Sequence, residues 1–359
     1  MLITELHWST QAGFPVLASL QLFPLVIAAL VFFLKDHKKL FALTVTAAVI
    51  ELLLAIKLYL LYDISNVSLQ LAEHVTLVSA LQYHAAVDGM SVLFILLTAI
   101  LNLMIVLYSY VVPLEKRQLL LTLIFIVLAS LMSQYTTLNL LWFILASTVQ
   151  LLILGFIHWE WATSPDRDLA LSRYLQFMLT SLVLLIIGVT MLGWIFSDAT
   201  GYWSFDLIEL LAHPVDKSLQ SILFFLLFYG LAIRMPVFPL HGWLPMAAEH
   251  GMVAIAPVLL LGLKVGAYAL LRFVFPLVPD AVIQWHEYVM AFAVTGIFYA
   301  ALLALMQNNL RRLLAFAVIS HTGILIIGLF SLNHEAFQGG IMLAVNFGLA
   351  ITGLLFTTG

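Results

Sequence analysis

The chain has 359 residues, of which 64% are apolar and 9% charged, against roughly 45–50% and about 25% in soluble domains. A water-soluble globule of this length cannot hide so much apolar surface, so the bilayer is the solvent. The 14 Lys and Arg and 18 Asp and Glu leave a net charge of −4 with no extended basic block, which argues against a nucleic-acid partner; with no cysteine, disulfides and thiolate-held zinc, iron–sulfur or c-type haem centres are excluded.

A spanning helix needs about 20 mostly apolar residues. Eleven runs qualify, near 15–34, 41–62, 90–112, 118–136, 138–157, 174–197, 218–240, 252–275, 285–306, 312–331 and 337–357. The fold class is therefore all-α, a polytopic transmembrane helix bundle. Strands fit less well, because a transmembrane strand alternates every second residue whereas 119–131 (LLLTLIFIVLASL) is apolar nearly throughout. The first run is preceded by Glu5 and followed by Lys35, Lys38 and Lys39, the reverse of the polarity of a cleavable signal peptide. The longest loop, about 63–89, is moderately polar and suits a short strand pair or an amphipathic helix. No linker or soluble domain interrupts the series, so 1–359 reads as a single transmembrane domain.

Orientation follows from the loop cations, because positively charged loops resist translocation. The connections after helices 1, 3, 5 and 9 carry nine: Lys35, Lys38, Lys39, Lys116, Arg117, Arg167, Arg173, Arg311 and Arg312. Those after helices 2, 4, 6, 8 and 10 hold Lys217 and Arg272 among many acids. The N-terminus is expected outside, and the alternation supports the helix count, since one missed span would reverse every later loop.

Three cations fall within apolar runs, Lys57, Arg234 and Lys264, and Glu51 is the one carboxylate clearly mid-span. A charge at the bilayer centre costs about 3 to over 10 kcal/mol, so such residues face the protein interior or water and mark ion paths by default. Lys57 lies close to the end of helix 2 and can snorkel to the headgroups. Glu51 can pair within its own bundle or serve an ion. Arg234 and Lys264 are flanked by apolar residues and bracket the most irregular stretch of the chain.

That stretch reads RMPVFPLHGWLP from Arg234 to Pro245. Pro236, Pro239 and Pro245 remove backbone donors and clash with the preceding turn, so helix 7 must break just after Arg234. A broken helix survives in a membrane only where protein or a water-filled cavity satisfies the freed carbonyls, and such breaks recur at transporter ion sites. His241 follows the break and His321 lies in SHTG of helix 10; either imidazole can exchange a proton near neutral pH or serve as a hydrogen-bonded structural group.

The segments RMPVFPLHGWLPMAAEHG and LLLGLKVGAYALLRFVFPLVPDA, with YHAAVDGMS (83–91) and ALMQNNLRRLLAFAVISHTG (304–323) in the same order, resemble the proton-pumping antiporter-like subunits of respiratory complex I, closest to the chain M type of NADH-quinone oxidoreductase. The signature is shared more distantly with cation/proton antiporter complexes and membrane-bound hydrogenases. The resemblance implies an antiporter-like fold with helices 1–3 over about 15–112, a first five-helix repeat over about 118–275 and part of a second over about 285–359. It implies a mid-membrane chain of ionisable residues in which Arg234 takes the place of the helix 7 lysine, Lys264 that of the helix 8 lysine and His321 that of the helix 10 histidine. Three positions depart from it. Helix 5 holds no acid, with Ile144 near the expected glutamate; Arg234 replaces lysine, and a guanidinium does not hand a proton on; Asn346 stands where helix 11 carries a histidine. Glu51 is the remaining mid-span candidate to pair with Arg234. The family usually has about fourteen helices, so a chain ending at Gly359 reads as incomplete.

The implied function is a membrane subunit of a complex I-like assembly that translocates protons or sodium ions while partner subunits perform redox chemistry. Alternatives are an ion-coupling subunit of a two-component inorganic carbon uptake system and a scaffold that no longer conducts. The partners implied are other membrane subunits, membrane lipid, and a soluble redox or carbonic-anhydrase-like protein. No glycine-rich nucleotide fingerprint follows a strand, so no cofactor and no catalysis by the chain alone are expected; an inner-membrane location of bacterial type is expected.

Overall fold

A computed structural model describes residues 4–78, 80–162, 164–250 and 262–358. Ten of its helices are long and apolar enough to span a bilayer: α1 (Val16–Phe33), α2 (His37–Leu61), α3 (Gly89–Val111), α4 (Arg117–Thr136), α5 (Leu140–Trp161), α6 (Arg167–Thr200), α7 (Lys217–Arg234), α9 (Pro279–Leu305), α10 (Leu310–Phe330) and α11 (His334–Phe356). Between α7 and α9 run a short helix, Trp243–His250, and α8, which comprises Leu263–Ala269, a π-helical turn at Leu270–Val274 and Phe275–Leu277. The first part of the expected helix 8, 251–261, lies outside the described residues. The chain is a multi-pass integral membrane protein, and its burial is inverted accordingly. Leu60 (75% exposed) and Phe298 (66%) face outward, while Glu51, Asn102 and Ser181 are fully buried.

Polar residues at the span boundaries cap helices. Asp36 accepts from the N–H groups of Lys38 and Lys39, Asp88 from Ser91, Asn309 from Arg311 and Arg312, and Asn333 from Glu335. Two expectations need correction. Helix α6 has 34 residues, about 50 Å at 1.5 Å per residue, and exceeds the apolar run because hydropathy marks only its middle; it stops at Gly201, whose φ of 85° suits a residue without Cβ. Arg272 is not a loop cation. It is buried in the π-helical turn of α8, its Nε donating to Tyr268 Oη at 3.1 Å.

The chain divides into two compact units, Met1–Leu154 with Tyr202–Ala212, and Gly155–Gly201 with His213–Gly359. In the first, α1 packs on α4 and α2 on α3, and the 63–89 loop takes the strand alternative. Strands β2 (Leu69–Val78) and β3 (Leu81–Val87) form an antiparallel hairpin, with β1 (Glu5–His7) parallel to β2. Glu73 of β2 accepts from Leu17 and Ala18 N–H at 2.8 Å each, capping α1 with a carboxylate. His84 of β3 is held between two acids: Nδ1 lies 2.6 Å from Asp206 Oδ2 and Nε2 2.9 Å from Glu5 Oε1. Asp206 also accepts from Ile208 N–H at the head of a one-turn helix, so a single carboxylate fixes both loop and hairpin.

In the second unit α6 packs on α7, α9 on α10, and the helix Trp243–His250 on α6 and α10. Inside α7, Ser181 Oγ donates to Gly230 O at 2.6 Å as a second bond to that carbonyl. The break after Arg234 frees carbonyls, and two have identifiable donors: Ala232 O accepts from Val237 N–H at 3.1 Å and Ile233 O from the Trp243 indole at 2.9 Å. These oxygens are satisfied by protein rather than left for an ion. Close approach sets the surroundings: a Cβ on Gly296 of α9 would sit 2.6 Å from Phe238 Cβ, and one on Gly266 of α8 would collide with Met235 and lie 3.0 Å from Leu231 O.

Two outcomes are expected. Trp243→Phe keeps the ring against Tyr174 but strands the Ile233 carbonyl, which costs about 1–3 kcal/mol; thermal unfolding of the purified protein at a lower temperature than wild type checks it, and an unchanged Tm contradicts it. Burial pulls the His84 imidazole down, but its hydrogen bonds to Asp206 and Glu5 and their charges outweigh this and push it up to about 9. A raised imidazole pKa contributes stability that is complete below its unfolded value and lost as pH rises through the folded one. Hydrogen-exchange protection of β2–β3 should thus fall between about pH 6.5 and 9, and His84→Gln should remove that pH dependence.

Candidate functional site

Arg234 is the last residue of α7 and is 7% exposed. Its Nε donates to Ser181 Oγ at 2.9 Å, and the same hydroxyl donates onward to the Gly230 carbonyl. A neutral serine, itself anchored to the backbone, therefore orients the guanidinium, while Nη2 is buried without a hydrogen-bond partner among the described residues. A guanidinium held this way is a fixed positive charge that does not release its proton.

Lys264 and His321 line one small cavity with Thr322, Leu325, Leu343, Ala344 and Phe347. Its volume open to the centre of a water-sized sphere is about 10 Å³, close to the minimum for a single water. Phe347 of α11 contacts both titratable groups. Its ring stacks on the His321 imidazole at 3.8 Å and 9°, and its face receives Lys264 Nζ at 5.7 Å from the centroid. His321 Nδ1 lies 3.0 Å from Ala317 O; a carbonyl only accepts, so Nδ1 carries the hydrogen and Nε2 is the acceptor of the neutral ring. An ammonium, a neutral imidazole and room for a water are the components of a proton-exchange site.

The remaining sequence candidates are scattered. His241 follows the break, 7% exposed, its ring 5.7 Å from Phe238 and 5.3 Å from Tyr299 and its Nδ1 without a partner among the described residues. Pro236 has a φ of 20°, and Pro245 lies inside the helix Trp243–His250; with Pro239 they occupy the irregular backbone that the sequence anticipates. Lys57 is exposed, with Nζ 4.2 Å from the centroid of Phe14, as a snorkelling lysine would be. Glu51 is fully buried with neither oxygen hydrogen-bonded among the described residues. Within its own unit, Arg234 pairs with a neutral serine. Asn346 is exposed, and Phe347 is the α11 residue that reaches Lys264 and His321.

Two participants were missed from sequence, Ser181 and Phe347. An isolated serine or phenylalanine in an apolar run carries no signal of its own. The signal available was the need of Arg234 for a partner, which a search restricted to acids could not meet. A third omission lies in the first unit, where Gln134 of α4 donates to Gln150 Oε1 at 2.9 Å and accepts from Ser147 Oγ at 2.9 Å. The middle of α5 thus presents uncharged polar groups beyond buried Ile144, its one acid, Glu160, lying at the helix end.

Comparisons with known proteins bear on the family and the fold. The family described as "NADH:quinone oxidoreductase/Mrp antiporter, TM" matches residues 137–359. NADH-quinone oxidoreductase subunit M of Escherichia coli K12 is 31% identical over 301 residues, covering 77% of this chain and 55% of that protein. NAD(P)H-quinone oxidoreductase chain 4 2 of Synechococcus sp. JA-3-3Ab is 34% identical over 346 residues, covering 91% and 60%. The chain thus spans little more than half the length of these relatives. A chain of respiratory complex I from Thermus thermophilus with bound NADH superposes with a TM-score of 0.82 at 27% identity, covering 95% of this chain and 70% of that one. On the extent of the sequence match and the shared helix order, the chain belongs to the NADH:quinone oxidoreductase/Mrp antiporter transmembrane family.

Proposed function

We propose that the chain is an ion-translocating membrane subunit of a complex I-like assembly, moving protons, or sodium ions, across a bacterial inner membrane while partner subunits carry out redox chemistry. The observation that carries this reading is the juxtaposition of Lys264 and His321 around Phe347 in one small cavity between spanning helices. An ammonium can lose its proton and regain it, and an imidazole acceptor beside it gives that proton somewhere to go. Arg234 supplies a constant field, so the proton-labile part of the path is Lys264, His321 and the intervening water. His241 of the same unit and Glu51 of the first unit are further titratable groups within spanning or interrupted helices. The distribution of loop cations supports an N-terminus on the outer side.

The subunit M and chain 4 relatives favour redox coupling over inorganic carbon uptake. A scaffold that no longer conducts would have no need of a half-buried lysine and a histidine lining one cavity within spanning helices. The test uses the whole assembly in sealed vesicles, with ion transport measured against electron transfer. Lys264→Ala and Lys264→Arg should each lower the transport-to-electron ratio about tenfold or more with assembly intact, the second because it keeps the charge and abolishes its exchange. A wild-type ratio in Lys264→Ala would leave the scaffold reading standing.

A further inference from the structure

The second unit contains a cluster of titratable groups separate from Lys264 and His321. It gathers where the end of α5, the turn before α6, the helix Trp243–His250 and the start of α10 converge. Arg312 Nη1 donates to Glu249 Oε2 at 3.1 Å. The same carboxylate oxygen lies 3.9 Å from His250 Nε2, and His250 Nδ1 is 2.8 Å from Ser164 Oγ. His158 of α5 is 1% exposed, neither of its ring nitrogens has a hydrogen-bond partner among the described residues, and it lies within electrostatic reach of His250.

Burial rises in one direction through this cluster. The side chain of Arg312 is 42% exposed, that of Glu249 23% and that of His250 17%, and His158 is sealed. The bulky polar ring at the sealed end is unusual. A buried imidazole normally satisfies both nitrogens, and leaving them unpaired costs about 1–3 kcal/mol. The neighbouring His250 does have a partner, so the difference does not come from a general lack of polar atoms in the region. A ring with two open positions at the end of a graded series of carriers is what a proton relay requires, since one nitrogen must receive while the other delivers.

We propose that Glu249, His250 and His158 form a proton intake from the Arg311–Arg312 face of the membrane, with His158 as its innermost carrier. Arg312 holds Glu249 in place as the surface acceptor. A proton taken up there passes to His250 Nε2, the proton on Nδ1 passes to the Ser164 hydroxyl that it contacts, the hydroxyl gives up its own proton toward His158 through water, and His158 releases its own from the opposite nitrogen. Each group ends in the charge state in which it began, and no redox partner is needed. The inference rests on the translocation reading and adds to it the side and residues of uptake.

The experiment uses the whole assembly in vesicles oriented with the Arg311–Arg312 face outward, measuring proton uptake per electron. His158→Gln keeps an amide of similar reach but does not titrate, and should slow uptake about tenfold or more. His158→Ala should be equally slow and should recover in the presence of added imidazole but not of pyrazole, which is too weakly basic to carry the proton. Wild-type uptake in His158→Gln would overturn the proposal, as would slow uptake in His158→Ala that imidazole fails to restore, since that assigns His158 a packing role. Lys264→Ala is run alongside. If it stops uptake while His158→Gln does not, the intake alone fails; if neither variant affects uptake, the translocation reading fails with it.

Discussion

A helix interrupted inside an apolar solvent must find new partners for its backbone, and the second unit is organised by that requirement. Pro236 and Pro239 make continuation of α7 impossible, and the oxygens released upstream would each cost several kcal/mol if left bare in lipid. The neighbourhood supplies donors to two of them, a loop N–H to Ala232 and the Trp243 indole to Ile233, while the Ser181 hydroxyl adds a bond to Gly230 just inside the helix. Each donor comes from a different piece of chain, so the surroundings of the break tie together α6, the connecting loop and the helix Trp243–His250. Gly266 and Gly296 then allow α8 and α9 to approach closely enough to enclose it.

The same hydroxyl that satisfies Gly230 also holds Arg234, and this solves a charge problem without a second charge. A buried ion pair returns little net stability because both partners must be desolvated. A serine anchored to a carbonyl presents its oxygen lone pair to the guanidinium at lower cost, but it is neutral and has no carboxylate to switch away. The positive charge at 234 is therefore constant during any cycle. In the translocation proposed above, labile protonation is assigned to Lys264, which lines its cavity together with an aromatic face and an imidazole rather than a carboxylate. In that scheme fixed charge and mobile proton are divided between two residue types suited to them.

Much of this architecture was legible in the sequence, because a bilayer imposes a length and a polarity that apolar runs reveal directly. Ten of the expected spans correspond to described helices, and the three prolines located the break. What was not legible was direction around a helix. Asn346 and Phe347 are adjacent in sequence, yet one is exposed and the other lines the cavity; in a run apolar on all sides, no periodicity tells them apart. Arg272 was misplaced for a related reason, since its neighbours end an apolar run in the manner of a loop although the helix continues through a π-helical turn. Ser181 as the partner of Arg234 was not legible, because a lone serine in an apolar run carries no charge to mark it.

The central claim is that Lys264 and His321 share a proton through a hydrated gap beside Phe347. It is tested most directly by a density map of the complete assembly at a resolution that reveals ordered water. The expected result is a water within hydrogen-bonding distance of both Lys264 Nζ and His321 Nε2, continuous with further waters leading toward the membrane surface. A dry cavity, with Lys264 sealed by aliphatic side chains and no water in contact with either group, would contradict the account.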